Sequence, residues 1–91
     1  MNKGELVDLM ATKADTTLKE ANALLDAFMD SVIQAVADGE KVTLVGFGLF
    51  EARERKAREG RNPKTGKSIQ IPAARVPTFS AGKTFRESVN K

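Results

Sequence analysis

Apolar side chains recur at intervals of three and four over the first part of the chain, which is the spacing of amphipathic helices. Asn2 followed by Glu5 has the form of a helix start, and Thr17 followed by Glu20 forms a capping box. Gly39 supplies a C-terminal stop. The stripe of the second helix comprises Ala21, Leu24, Leu25, Phe28, Met29, Val32, Ile33 and Val36. The pattern predicts a helical hairpin, whose wide stripe must be covered by the remaining chain or by a second copy.

After the second helix the period changes to that of β-strands, and β-branched and aromatic residues become frequent. We expect a strand at about 41–45, a tight turn at Gly46–Gly48 and a second strand from about 49. Phe47 and Phe50 are the predicted core anchors of this part.

A later run, SIQIPAARVPTF, predicts a returning strand. Pro72 and Pro77 suit strand ends or edge positions, because proline cannot donate a hydrogen bond to a strand ladder. Beyond this run, Ser80 is the predicted N-cap of a short C-terminal helix.

These elements predict one α+β domain over residues 1–91. The helical hairpin is expected at 1–40, a three-stranded antiparallel sheet at 41–80, and a short helix at 81–91. A long β-ribbon arm at about 53–75 extends from the sheet, because the strand-like alternation there lacks enough apolar residues for a core.

The net charge of +3 conceals an uneven distribution along the chain. Residues 51–75 hold eight Lys and Arg against three Glu, a balance of +5, while the remaining residues hold seven against nine, a balance of −2. A concentrated basic segment on a near-neutral body indicates a polyanionic partner. Nucleic acid is the first candidate and an anionic membrane surface is the second.

The composition argues against several other classes. The chain has no cysteine and no histidine, and its carboxylates are scattered, so we expect no catalytic site, metal, cofactor or small-molecule substrate. The N-terminal residues lack the apolar core of a secretory signal, and no apolar run is long enough for a bilayer, so an intracellular protein is expected. A membrane-surface protein needs a basic amphipathic helix, whereas the cations here lie on a strand-like ribbon. RNA-binding proteins usually expose aromatic residues for stacking, whereas most of the five phenylalanines here are at core-like positions.

A series of ordered motifs resembles the bacterial HU/IHF family of DNA-bending histone-like proteins over essentially the whole chain: MNKGELVD, GFGLFEARERKAREGRNPKTGK, IPAARVPTF and FSAGK. The resemblance implies a homodimer or heterodimer in which the helical hairpins intertwine and two β-ribbon arms embrace the duplex. It implies an interface with the twin subunit that contains Leu25, Phe28, Met29, Val32, Phe47, Phe50 and Phe79. Leu49 departs from the family, which usually has a small polar residue there.

The same resemblance assigns roles on the arm and around it. Pro63 is the expected wedge that enters the base stack from the minor groove. The expected DNA contacts are Lys3, Arg53, Arg55, Arg58, Arg61, Asn62, Pro63, Lys64, Lys67, Arg75, Lys83 and Arg86. Asn62 either meets a base edge or only starts the turn. Asp26 is expected to hold Lys3 in a competing salt bridge, or the two are unrelated surface charges.

The function that the resemblance implies is that of a nucleoid-associated architectural protein in the cytoplasm. Such a protein binds double-stranded DNA with little sequence preference, bends it, and prefers bent, nicked or flexible DNA. A sequence-specific IHF-like subunit is the alternative within the family. An RNA-binding or membrane-binding protein is a more distant one.

Overall fold

The computed structural model describes residues 1–90, and it contains three helices and five antiparallel strands within that range. The elements are α1 (Lys3–Ala14), α2 (Leu18–Ala37), β1 (Val42–Leu44), β2 (Gly48–Arg55), β3 (Arg58–Arg61), β4 (Ser68–Ile71), β5 (Ala74–Ala81) and α3 (Lys83–Val89). The predicted α+β class is confirmed. Lys91, the last residue of the predicted C-terminal helix, lies outside the described residues.

Both helix starts that the sequence predicted are present. The side-chain oxygen of Asn2 accepts a hydrogen bond from the Glu5 backbone N–H at 2.9 Å. The hydroxyl of Thr17 accepts one from the Glu20 N–H at 3.1 Å, and the Glu20 carboxylate accepts from the Thr16 hydroxyl. Each cap satisfies an amide that the first helical turn leaves without a partner, which stabilises a helix by about 1 kcal/mol.

The predicted stop of α2 is also confirmed. Gly39 has a φ of 90°, and its N–H donates to the carbonyl of Val36 at 3.0 Å. The Glu40 N–H donates to the carbonyl of Ala35 at 2.9 Å. This pair of bonds is a Schellman motif, in which a residue with positive φ turns the chain out of the helix.

The first compact unit, Met1–Gln34, has a small core. Val7, Ala11 and Ala21 are buried, and Met10 and Leu25 pack against them. Half of the eight stripe residues of α2 remain exposed: Leu24 at 64%, Phe28 at 36%, Met29 at 39% and Ile33 at 66%. The hairpin therefore does not cover its own apolar face, as the width of the stripe predicted.

The second compact unit, which begins at Ala35, is built on a three-stranded sheet of order β1-β2-β5. A β-turn joins the first two strands, with the Phe47 N–H donating to the Leu44 carbonyl at 2.9 Å. Gly46 has a φ of 83° at the third position of this turn, a conformation that side chains disfavour. Phe50 lies in register between Val42 and Phe79. The turn therefore sets the register that aligns the aromatic residues.

The prediction of a single returning strand is wrong. β4 ends at Ile71 and β5 begins at Ala74, and the facing strands β2 and β3 are likewise separated at residues 56–57. Pro72 lies at this break, and Pro77 lies within β5, an edge strand of the sheet. Both prolines thus occupy the positions that were expected of them. The arm consists of the end of the β2–β5 ladder and a separate distal hairpin, β3–β4.

The predicted cap of the last helix is also wrong. Ser80 is part of β5 and pairs with Leu49, whereas Gly82 is the N-cap and makes no side-chain capping bond. The Gly82 N–H donates to the Phe47 carbonyl at 2.8 Å, and a Cβ on Gly82 would lie 2.9 Å from the carbonyl carbon of Gly46. Close contact with the β1–β2 turn, rather than side-chain capping, therefore determines where α3 begins.

Candidate nucleic-acid interface

The two faces of the sheet carry different chemistry, because successive side chains of a strand point to opposite sides. Phe50 and Phe79 are opposite each other in the β2–β5 register and share one face, here called the aromatic face. Glu51, Arg53 and Arg55 alternate with these positions along β2 and share the other, here called the cationic face.

Four phenylalanines cluster at the aromatic face. The ring centroids of Phe50 and Phe79 are 4.8 Å apart. The ring centroid of Phe47 lies 5.5 Å from that of Phe79 and 5.5 Å from that of Phe85. These are favourable tilted contacts between rings. Phe47 is nevertheless 44% exposed and Phe79 is 40% exposed. Large aromatic rings that are exposed together mark a surface for association.

On the cationic face, one carboxylate binds two cations. Arg53 donates from Nε to Oε1 of Glu51 at 2.9 Å, and Nζ of Lys41 lies 3.6 Å from Oε2. The hydrogen bond from Arg53 lowers the pKa of Glu51 below its usual value, and the charge of Lys41 acts in the same direction. The carboxylate therefore remains ionised at neutral pH. Lys41 was not among the predicted contacts, since only the β1–β2 register reveals its proximity to Glu51.

The tip of the arm forms a closed turn. The Asn62 N–H donates to the Lys67 carbonyl at 2.9 Å, and the Gly66 N–H donates to the Asn62 carbonyl at 2.7 Å. The side-chain oxygen of Asn62 accepts from the Lys64 N–H at 2.9 Å, and Gly66 has a φ of 71°. Asn62 thus starts the turn, and its contact with a base edge stays a prediction. Pro63 is exposed directly after it.

The distal hairpin distributes its charges over both of its faces. Arg58 is opposite Ile71 and Gly60 is opposite Ile69, so these four residues share a face. Arg61 and Ser68 lie on the reverse face. Arg58 and Arg61 are both exposed, as are Lys64 and Lys67 at the tip. The predicted cations of the hairpin are therefore accessible on both sides of the ribbon.

Arg75 has a partner that the sequence did not indicate. Its guanidinium donates to the carbonyl of Ala37 at 3.2 Å and to that of Val36 at 3.4 Å. These carbonyls belong to the last turn of α2, where a cation also interacts favourably with the helix dipole. Arg75 thus ties the base of the arm to the end of this helix, and a DNA contact would compete with that role.

Lys3 and Asp26 form the predicted ion pair, with Nζ 2.6 Å from Oδ1. Both side chains are about half exposed, and Asn22 also donates to the Asp26 carboxylate at 3.4 Å. Exposed pairs of this kind contribute about 0–1 kcal/mol, so a phosphate can displace the carboxylate at little cost.

Lys83 and Arg86 lie on α3 and are both exposed. Lys83 is in loose contact with Glu87, one turn further along, at 3.9 Å. Such a pair leaves the ammonium group accessible to a stronger anion.

Leu49 does not belong to the aromatic face. It pairs with Thr43 and Ser80 and lies on the cationic face, where it is partly buried. The departure from the small polar residue of the family therefore concerns the cationic face of the sheet, and the register of the phenylalanines is unaffected.

Within residues 1–90, no group of acidic residues is arranged to hold a metal ion. No helix in that same range is both long and apolar enough to cross a membrane.

A family model described as "Bacterial DNA-binding protein" matches residues 1–90. The "DNA-binding protein HU" of Nostoc sp. is 66% identical over 89 residues, which is 98% of this chain and 95% of the relative. The protein of the same name from Staphylococcus aureus is 54% identical over 98% of this chain and 99% of its own.

Two solved structures are similar as well. The "Anabaena HU-DNA cocrystal structure" has a TM-score of 0.92 at 66% identity. The match covers 98% of this chain and 97% of the chain in that structure. The structure of HU from Thermotoga maritima has a TM-score of 0.71 at 35% identity, with 98% of both chains covered.

Proposed function

Because the chain belongs to the family of bacterial DNA-binding proteins, we propose that it is a nucleoid-associated architectural protein of the cytoplasm that binds and bends duplex DNA with little sequence preference. The observation that carries this proposal is the basic two-stranded ribbon with an exposed proline at its tip. The relatives at 54–66% identity are named HU, so the sequence-specific alternative is not favoured.

Phosphate contacts supply most of the binding free energy in this proposal, and they carry no sequence information. The accessible cations of the arm, of α1 and of α3 serve as these contacts. They are Lys3, Arg53, Arg55, Arg58, Arg61, Lys64, Lys67, Lys83 and Arg86. Asn62 shapes the tip beside them, and Arg75 holds the base of the arm.

Pro63 acts as the wedge. Its ring is apolar and rigid and has no N–H to desolvate, so it enters a base step from the minor groove with little ordering cost. Unstacking a step costs a few kcal/mol, which the additional phosphate contacts of bent DNA offset. DNA that is already nicked or flexible costs less to deform and is therefore preferred.

The binding unit is a homodimer with two arms. In this proposal residues 1–40 dimerise, residues 41–80 carry the arm at about 53–75, and the C-terminal helix adds contacts. The twin subunit covers the exposed part of the α2 stripe and the aromatic face. The proposed interface contains Leu25, Phe28, Met29, Val32, Phe47, Phe50 and Phe79. The removal of this apolar surface from water drives the association.

Sedimentation equilibrium should give twice the mass of the chain at micromolar concentration. Folding and association are then linked, so the thermal midpoint should rise with protein concentration. A single-chain mass together with a concentration-independent midpoint would refute the dimer.

The proposed DNA binding is tested by gel shift on matched linear and gapped duplexes over a range of salt concentrations. Gapped DNA should bind more tightly than linear DNA of the same sequence. The plot of log affinity against log salt should fall by about 0.9 per phosphate contact. Duplexes of unrelated sequence should bind alike. Failure to bind duplex DNA at low salt would overturn the proposal, and a strong dependence on sequence would favour the IHF-like alternative.

A further inference from the structure

Glu51, Arg53 and Lys41 form an ion cluster on the cationic face, in which the anion is less exposed than the two cations. The Glu51 side chain is only 12% exposed, whereas those of Arg53 and Lys41 are 63% and 70% exposed. The carboxylate thus lies beneath two accessible cations, and the cluster carries a net charge of +1.

The contact with Glu51 also determines which part of Arg53 is available. The hydrogen bond to Glu51 uses Nε, at 2.9 Å, so the two terminal amino groups of the guanidinium remain for another acceptor. A planar pair of N–H groups matches two oxygens of one phosphate. Lys41, held by the other carboxylate oxygen, provides a second positive charge beside them.

We propose that Glu51 is a positioning residue that holds Arg53 and Lys41 as a preformed site for one backbone phosphate of DNA. The site lies on the cationic face of the sheet, away from the arm tip and the wedge. An arginine that is already oriented loses less side-chain entropy when it binds, and this raises affinity. The inference rests on the proposed DNA binding.

The proposal predicts a result opposite in sign to that expected from charge alone. Replacing Glu51 with alanine makes the protein more positive, which by itself tightens binding to DNA. If Glu51 positions Arg53, the substitution should instead weaken binding by roughly five- to tenfold, comparable to the net loss of one ordinary hydrogen bond. The salt slope should also fall by about 1, because one phosphate contact is lost.

A double-mutant cycle separates positioning from a general effect on the fold. Arg53→Ala should weaken binding by a similar factor, and adding Glu51→Ala to it should cause a much smaller loss than in wild type, because only Lys41 is then left to be positioned. Glu51→Gln keeps an oxygen that accepts from Nε of Arg53, so it should retain most of the wild-type affinity. Thermal unfolding of each variant monitors the fold.

Glu40→Ala is the matched control, because it removes a negative charge next to Lys41 in sequence and should leave affinity unchanged or slightly higher. If wild type binds duplex DNA and Glu51→Ala binds equally well or more tightly, the positioning role is refuted while the proposed function stands. If wild type itself does not bind, the proposed function fails. The positioning role would also be refuted if Glu51→Ala reduced the affinity for DNA by the same factor in wild type and in the Arg53→Ala variant.

Discussion

Replacing Gly48 with alanine should destabilise the protein by about 1–3 kcal/mol, the usual cost of forcing an extra group into a packed site. A Cβ at this position would lie 2.4 Å from Cε1 of Phe79 and 2.7 Å from the carbonyl oxygen of Ser80. The ring could turn aside, but the carbonyl belongs to a paired strand. Gly48 itself is buried and pairs with both Leu44 and Ala81. Relief therefore requires a shift of the central strand.

Chemical denaturation of wild type and Gly48→Ala, at equal protein concentration, measures this loss. Gly4→Ala is the matched control, because Gly4 lies in α1 and a Cβ there would lie 3.5 Å from the Asn2 side-chain oxygen, an ordinary contact. Alanine also favours a helix over glycine by up to about 1 kcal/mol, so the control should be neutral or stabilising. Equal stability of Gly48→Ala and wild type would contradict the tight packing at this position.

The elements that were predicted from sequence are those fixed by local interactions. The caps at Asn2 and Thr17 and the stop at Gly39 each depend on residues three to five positions apart, so their spacing is visible in the sequence. The turn at Gly46 is similarly local. Local signals of this kind also revealed that the α2 stripe is too wide for one hairpin.

The errors arose where residues distant in sequence decide the structure. Ser80 has the chemistry of a helix cap, yet pairing with Leu49 holds it in a strand. The break near Pro72 depends on a facing break at residues 56–57, because a ladder is interrupted on both strands together. Neither outcome can be derived without the register.

The candidate site shows the same division. Asn62 was already a candidate for the start of the tip turn, and the residues of that turn are close together in sequence. The partner of Arg75 was not predicted, because the guanidinium reaches a carbonyl 38 residues earlier in the chain. The cluster at Glu51 likewise includes Lys41, which the turn and the β1–β2 register bring near. Charge counting identified the basic segment, but the fold decides which cations are accessible.

Replacing Pro63 with alanine should reduce DNA bending far more than DNA binding. The turn should persist, because its hydrogen bonds join Asn62 to Lys64, Gly66 and Lys67 without using Pro63. The cations of the arm remain, so most phosphate contacts persist, and the salt slope should fall only by the contacts that bent DNA adds. The small methyl group of alanine fills an opened base step poorly. Without that filling, the phosphate contacts of bent DNA alone do not offset the few kcal/mol needed to unstack the step, so the duplex bends less.

Energy transfer between dyes at the two ends of a short duplex measures the bend at saturating protein, and gel shift measures affinity on the same DNA. Pro63→Ala should give a clearly longer end-to-end distance than wild type, with an affinity loss of less than about tenfold, or 1.4 kcal/mol. Pro77→Ala is the control, since Pro77 is an exposed proline in β5 and lies away from the tip. It should bend DNA as wild type does. Equal bending by Pro63→Ala and wild type would exclude the wedge and leave phosphate contacts alone to deform the duplex.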